Sequence, residues 1–142
     1  MRIVVAAKPD ADQPWLVAAV TSLVRQTGGD VTVVAADEVE LERLAAVPRS
    51  VFDDKARGAI ERMARQLLDA GVEAGTAVLP GRPVPAILEF AERHQADLIV
   101  VGSSNRPAVA ARLLGSVPLT LIKRSARPVL VITHPHHPGG AS

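Results

Sequence analysis

The fold of this chain is decided by the stretch DLIVVGSSNRPAVAARLLGSVP, residues 97–118. Its first part, Leu98–Val101, is a short, wholly apolar run that is typical of a strand buried on both faces of a parallel sheet. A glycine follows at once, and a glycine–serine pair stands at Gly115 and Ser116. Because proline breaks a helix interior but is tolerated in its first turn, Pro118 predicts a helix that begins at Ser116, with Ser116 as its N-cap.

Apolar runs of the same kind recur along the chain, separated by segments with helical periodicity. The predicted strands are Ile3–Ala7, Val31–Ala36, Val72–Leu79, Leu98–Val101 and Val129–Thr133. The predicted helices begin after Asp12 as N-cap, at Ser50 or Asp53, near Pro83 and at Ser116. The polar stretch between the second strand and the second helix reads either as a surface insertion or as a short helix.

This alternation predicts one α/β domain of Rossmann-like type. Its core is an open five-stranded parallel sheet with helices on both faces and right-handed crossovers. The domain is expected over residues 1–134, and the Pro/Gly/His-rich residues 135–142 are expected to form a flexible tail. His134, His136 and His137 are interpreted as part of this terminus rather than as a metal site, and Trp15 as a packing residue.

The composition excludes several classes of site. The chain has no cysteine, which excludes disulfides, thiolate metal sites and a cysteine nucleophile. No apolar run approaches the roughly 18 residues of a membrane helix, and the first residues read as a strand rather than as a secretory leader. We therefore expect a cytoplasmic protein with no membrane partner. With one Trp, two Phe and no Tyr, the chain offers little for stacking on nucleic acid, which is not expected as a partner.

Charge is distributed unevenly along the chain. All fifteen acidic residues lie at or before Asp97, and all the Asp, Glu, Lys or Arg residues beyond it are basic. These later basic residues are Arg106, Arg112, Lys123, Arg124 and Arg127. The cluster either raises the local concentration of an anionic ligand or is a solvated basic face, and the composition leaves both open.

The loops after the first and fourth strands are the places where a ligand is expected. In open parallel sheets, ligands bind beyond the carboxyl ends of the strands, where the strand order reverses. At Gly102 the missing Cβ would let a ligand approach the backbone, and the free N–H groups at Ser116 suit a phosphate, with Arg112 as a charged partner. The structural alternative is that Gly102 is a turn residue and Ser116 only a helix cap. Neither the dinucleotide fingerprint nor the P-loop motif occurs in the sequence.

At this point a resemblance becomes specific. The segment ADLIVVGSSNRPAVAARLLGSVPLTLIKRSARPVLVIT, residues 96–133, resembles the C-terminal signature of the universal stress protein family. That signature reads glycine, two residues, glycine, nine residues, glycine, then serine or threonine, and a strand like RPVLVI ends it. The preceding PGRPVPAILEFAERHQADLIVVG, residues 80–102, is similar to the same family, and the first two strands with their helix resemble it more loosely.

The resemblance implies a stress-related regulatory protein that binds an adenine nucleotide: ATP, or AMP or cyclic AMP, with Mg²⁺ as an accompanying ion. The base and ribose would lie against the first loop and the second strand, and the phosphates would reach backbone amides, among them that of Ser103, and charged side chains. The expected cofactor-binding residues are Ala6, Ala7, Lys8, Ala35, Val101, Gly102, Ser103, Asn105, Arg112, Gly115, Ser116 and Val117.

Two positions depart from the family pattern. Asn105 stands where the family has its middle glycine, and asparagine is the least costly replacement if that position requires a positive φ. Lys8 stands where nucleotide-binding members usually carry an aspartate. Lysine cannot accept the hydrogen bonds that a carboxylate accepts, but it could contact a phosphate as a point charge. Asp10 could take the aspartate's place if the loop is re-spaced.

Three functions remain open on the sequence. The first is a nucleotide-binding regulatory protein without efficient catalysis, and the second is a weak ATPase, which would need a positioned base and carboxylates for Mg²⁺. The third is a dimeric interaction module that has lost its ligand. A homodimer is expected because family members commonly pair through the last strand, here Val129–Thr133, which would be an apolar sheet edge.

Overall fold

Strands and helices alternate along the chain as the apolar pattern predicts. The computed structural model describes residues 1–9, 11–37, 49–103 and 115–135, with only the backbone described for 49–52. Within these ranges the order is β1 Arg2–Ala6, α1 Pro14–Thr27, β2 Asp30–Ala36, α2 Arg49–Asp69, β3 Ala74–Leu79, α3 Pro83–Arg93, β4 Leu98–Gly102, α4 Ser116–Arg124 and β5 Val129–Ile132. The polar stretch after β2 lies largely outside the described residues.

The strands form one parallel sheet in the order β3-β2-β1-β4-β5. The central strand is β1, in which Val5 is paired with Val33 of β2 and with Val100 of β4. All three side chains are fully buried, which explains why these strands read as continuous apolar runs. Strands β2 and β3 are added in turn on one side of β1, and the chain then crosses over so that β4 and β5 lie on the other side of β1. The strand order therefore reverses between β1 and β4.

Helices cover both faces of this sheet, as predicted. On one face α1 and α2 pack against alternate strand residues; the buried helix side chains are Leu16, Val17, Val20, Ala56, Ile60, Met63 and Leu67. On the other face α3 and α4 do the same with Val84, Ile87, Phe90, Ala91 and Leu121. Trp15 is partly buried against the first cluster, in agreement with its interpretation as a packing residue. No helix in the described part of the chain is long and apolar enough to span a bilayer.

Two helix caps differ from their predictions. The N-cap of α1 is Gln13 rather than Asp12, and no side chain of a described residue caps this end. The Asp12 carboxylate instead accepts a hydrogen bond of 3.3 Å from Nε2 of Gln66 on α2. The N-cap of α4 is Gly115, whose φ of 99° favours glycine, so Ser116 is the first helical residue and not the cap.

Some element boundaries are shifted as well. The second helix begins at Arg49, slightly before the predicted Ser50 or Asp53. Strand β3 begins at Ala74 rather than Val72. The N–H of Val72 still belongs to the C-terminal end of α2, where it donates a 2.8 Å hydrogen bond to the Leu67 carbonyl. In β1, β2, β4 and β5, strand ends differ from the predicted ones by a single residue.

The last strand forms an edge of the sheet. Strand β5 pairs with β4 on one side, and among the described residues it has no partner on the other. Leu130 on β5 and Leu119 and Ile122 on the adjoining α4 are large apolar side chains that are 38–47% exposed. Such an edge is open to pairing with another strand.

Candidate functional site

The reversal of strand order opens a crevice between the carboxyl ends of β1 and β4. We call it the switch crevice and define it by Ala7 and Lys8, which follow β1, and by Gly102 and Ser103 at the end of β4. Ala6 and Val101 are paired residues directly beneath it, and both are buried. Parallel α/β sheets bind ligands at this place.

The loop after β1 is held by hydrogen bonds within the chain. The N–H of Ala7 donates to the Val34 carbonyl at 2.8 Å, and the N–H of Lys8 donates to Oε1 of Gln13 at 3.0 Å. The residue Lys8 itself is exposed. Lys8 can therefore meet a ligand through its ammonium group, while its backbone donor is already engaged.

The α1 side of Gly102 is filled by side chains of the protein. A Cβ added at this glycine would lie 2.4 Å from Cη2 of Trp15 and 2.8 Å from Nε2 of Gln13. These distances are shorter than any tolerated carbon contact, so packing alone requires glycine here. The missing Cβ at Gly102 was predicted to let a ligand approach the backbone, but on this side the space is occupied by Gln13 and Trp15.

Ser103 and His134 join the ends of β4 and β5 at the same edge. The N–H of Ser103 donates to the Ile132 carbonyl at 2.9 Å, which extends the β4–β5 ladder by one residue. The Ser103 amide, for which a phosphate contact is predicted, is thus engaged within the sheet, and a contact between Ser103 and a ligand stays a prediction. The Ser103 hydroxyl accepts a 2.9 Å hydrogen bond from the N–H of His134. The His134 ring meets Trp15 edge-on, with centroids 5.3 Å apart.

The start of α4 offers backbone donors on the opposite face of the sheet from α1. Gly115 precedes the helix, and within the described part of the chain no side-chain hydrogen bond caps this end. Ser116 is exposed, whereas Val117 packs against the cluster that contains Ala6 and Val101. The first N–H groups of a helix have no intrahelical partner, and the helix dipole adds partial positive charge there. An anion would be stabilised at this end.

Most of the predicted site residues are brought to this edge of the sheet. The end of β1 and its loop contribute Ala6, Ala7 and Lys8; the end of β4 contributes Val101, Gly102 and Ser103; α4 and its cap contribute Gly115, Ser116 and Val117. Ala35 lies near the end of β2, fully buried in the same cluster as Ala7. Asn105, Arg112 and Asp10 lie outside the described residues.

Two polar residues at this edge were missed by the sequence analysis. Gln13, just before α1, is 5% exposed, and Asp37, just after β2, is 3% exposed. Oδ1 of Asp37 accepts a 2.9 Å hydrogen bond from the N–H of Gly81, which anchors the turn after β3. The available signal was position: Asp37 directly follows an apolar strand, where parallel sheets carry their functional loops. Gln13 has no such signal, because its burial depends on tertiary packing.

Comparison with known proteins identifies relatives over most of the chain. The model of the universal stress protein family matches residues 1–133. Universal stress protein MJ0531 of Methanocaldococcus jannaschii is 37% identical over 85 residues, which are 60% of this chain and 50% of that protein. Universal stress protein MJ0577 of the same organism is 33% identical over 59% of this chain and 52% of its own length. The matched part thus spans about half the length of these relatives.

Solved structures share the fold. The universal stress protein from Archaeoglobus fulgidus superposes with a TM-score of 0.77 at 24% identity, over 93% of this chain and 98% of its own. A universal stress protein from Archaeoglobus fulgidus in complex with dAMP is 24% identical, with a TM-score of 0.71 over 93% of this chain and 97% of its own. A universal stress protein in complex with cAMP is 27% identical, with a TM-score of 0.67 over 93% and 96%. The strand order, the crevice and these matches agree, and the chain belongs to the universal stress protein family.

Proposed function

We propose that this protein is a stress-related regulatory protein that binds an adenine nucleotide in the switch crevice, without efficient catalysis. The observation that carries the proposal is the start of α4, where backbone donors follow Gly115 and no side chain of the described residues caps them. Val117 in this first turn packs on the same cluster as Ala6 and Val101, the strand residues beneath the crevice. The solved relatives in complex with cAMP and dAMP support an adenine nucleotide as the ligand.

The base and ribose would lie against Ala6, Ala7 and Lys8, with Ala35 and Val101 contributing apolar surface. The phosphate would accept hydrogen bonds from the backbone at the start of α4 and meet the Lys8 ammonium group. The remaining proposed contacts are Gly102, Ser103, Asn105, Arg112, Gly115, Ser116 and Val117. Because the ligands of the two solved relatives carry a single phosphate, AMP and cyclic AMP are the first to test, with ATP and Mg²⁺ next.

Efficient hydrolysis is not part of the proposal. Phosphoryl transfer needs a positioned base and carboxylates that hold Mg²⁺. Asp12, the described acid nearest to the first loop, bonds Gln66 on α2 instead. A phosphate-release assay with ATP and Mg²⁺ should give no turnover above that of a Lys8→Ala control; turnover that this variant abolishes would favour the ATPase alternative.

Isothermal titration of the purified protein with AMP, cyclic AMP and ATP tests the binding proposal. We expect a Kd below about 100 μM for at least one of them, which corresponds to about −5.5 kcal/mol. Lys8→Ala should weaken binding because it removes a charge from the rim of the crevice, whereas Lys55→Ala on the exposed face of α2 should not. Flat titrations at millimolar concentrations of all three nucleotides would contradict the proposal.

A homodimer in the cytoplasm completes the proposal. Strand β5 is an apolar edge with Leu130 exposed, and the neighbouring Leu119 and Ile122 extend the apolar surface onto α4. Pairing of two β5 strands would cover this edge. If the dimer forms and no nucleotide binds, the protein is instead a ligand-free interaction module of the same fold.

A further inference from the structure

We infer that Gln13 is a ligand-binding residue of the switch crevice, whose side-chain Nε2 donates a hydrogen bond to the bound nucleotide, and that Trp15 holds this amide in place. The inference rests on the proposed function and names a contact for which the family signature has no position. It is carried by the burial of Gln13, by the bond that orients its amide, and by its place beside Gly102.

The Gln13 amide is a buried polar group with one of its two ends engaged. The residue is 5% exposed, and its Oε1 accepts the hydrogen bond from the Lys8 N–H. Among the described residues, the fully enclosed side-chain atom without a hydrogen-bond partner is Thr21 Oγ1, and Nε2 of Gln13 is not such an atom. Nε2 donates to no described residue, so it keeps an opening to solvent where water or a ligand atom can accept its hydrogen bond. The NH₂ group is therefore available to a ligand.

The hydrogen bond from Lys8 also determines which end of the amide faces the crevice. An N–H donor at 3.0 Å requires an acceptor, so Oε1 must face Lys8 and Nε2 must lie on the other side. On that side a Cβ at Gly102 would be only 2.8 Å from Nε2. The crevice thus presents a donor between the ends of β1 and β4. The ligand atom that meets it must be an acceptor, such as a phosphate oxygen, a ribose oxygen or a purine ring nitrogen.

Trp15 acts as the positioning residue for this amide. Its ring touches the same space above Gly102, where Cζ3 and Cη2 would lie 3.0 and 2.4 Å from an added Cβ. The indole also makes an edge-on contact with the His134 ring, with centroids 5.3 Å apart. Since the backbone N–H of His134 is tied to Ser103, the aromatic pair is fixed to the end of β4. The indole and the amide together form the α1 wall of the crevice.

The decisive variant is Gln13→Glu. A glutamate has the same shape and keeps an oxygen acceptor for the Lys8 N–H, but it replaces the donor that faces the ligand with a second oxygen. We expect the affinity for AMP to fall by about tenfold or more, since a donor is lost and an oxygen then opposes the ligand's acceptor. Gln26→Glu makes the same charge change on the exposed end of the same helix and should leave the Kd within about twofold of the wild-type value.

The outcomes separate this inference from the proposed function. If wild type binds AMP and Gln13→Glu binds it equally well, the inference is overturned and the proposed function stands. Tighter binding of AMP by Gln13→Ala would also overturn it. That result would mean that the ligand has to displace the Gln13 side chain from the crevice rather than bind to it. If wild type binds no adenine nucleotide, the proposed function fails and the inference fails with it.

A measurement on the wild-type protein avoids dependence on the folding of the variants. In ¹⁵N NMR spectra, the side-chain NH₂ signals of Gln13 should shift on saturation with AMP, whereas those of the exposed Gln26 should not. Unchanged Gln13 signals in a protein that binds AMP would overturn the inference.

Discussion

Gly102 is both a packing residue of the described structure and a contact of the proposed nucleotide site. Its α1 side is closed by Trp15 and Gln13, at distances that leave no room for one additional carbon. The glycine of the family signature therefore has, in this chain, a role in stability that is independent of any nucleotide. A substitution there tests the packing directly.

We expect Gly102→Ala to lower the free energy of unfolding by about 1–3 kcal/mol, because the added methyl group overpacks the space held by Trp15. Urea denaturation followed by Trp15 fluorescence measures this loss. Gly75→Ala is the matched control in another strand, since its Cβ would meet Thr32 only at ordinary contact distances of 3.6 and 3.9 Å. Equal stability of the two variants would contradict the packing explanation.

Asp37 is the second residue whose role the structure reveals. Its buried carboxylate accepts the Gly81 N–H, so Asp37→Ala should cost about 1–3 kcal/mol by leaving that donor unpaired. Asp37→Asn keeps an oxygen acceptor of the same shape and should be milder. Thermal unfolding of both variants measures the difference; an asparagine variant as unstable as the alanine variant would show that the Gly81 hydrogen bond is not the cause.

At the scale of elements, the start of α4 is the part of the fold that would bind the phosphate of the nucleotide. Gly115 has a φ of 99°, and Gly71, after α2, has a φ of 93°. Alanine at either position should cost about 1–2 kcal/mol of stability, because a side chain is strained at positive φ. Only Gly115→Ala should also weaken nucleotide binding, measured by titration calorimetry, since it alone changes the donors at the proposed phosphate site.

The two variants control for each other. If both lose stability and both bind nucleotide normally, the start of α4 is not the phosphate site. If Gly71→Ala weakens binding as strongly as Gly115→Ala, the effect is a general one of reduced stability and says nothing about α4.

The elements themselves were predictable because local pattern determines them. Apolar runs such as Leu98–Val101 and the position of Pro118 were enough to identify β4 and the start of α4. The caps were predicted less well, since Asp12 and Ser116 are good cap residues by type, whereas the structure uses Gln13 and Gly115. A cap depends on the angle at which the chain enters the helix, and tertiary packing sets that angle.

The candidate site was predictable only in outline for the same reason. Its location followed from the alternation of strands and helices, and its residues from the resemblance to the family. That the Ser103 amide is engaged could not be foreseen, because its partner, Ile132, comes from a strand 29 positions later in the sequence. The burial of Gln13 likewise depends on Gly102, which β4 brings beside it.

At the scale of the whole molecule, the open edge at β5 predicts assembly. Light scattering at tens of micromolar should give a mass of twice the 14.9 kDa chain, because the exposed β5 edge can pair with its copy. Leu130→Asp should shift the mass toward that of the monomer by placing a charge in the interface. Leu68→Asp is the control, since this leucine is also exposed, at 58%, but lies on α2. A monomeric wild-type protein would contradict the prediction.

The central position of β1 has a consequence for how the chain folds. Strand β1 is synthesised well before β4 but is paired with it, so that Ile3 lies opposite Leu98, and the Arg2 N–H donates to an Asp97 carboxylate oxygen 95 residues away. Until that distant segment leaves the ribosome, one side of an apolar strand has no partner. Contacts between segments that are remote in sequence slow folding, and the exposed apolar strand makes the folding intermediates prone to aggregation. The nascent chain should therefore stay prone to aggregation until β4 has been synthesised.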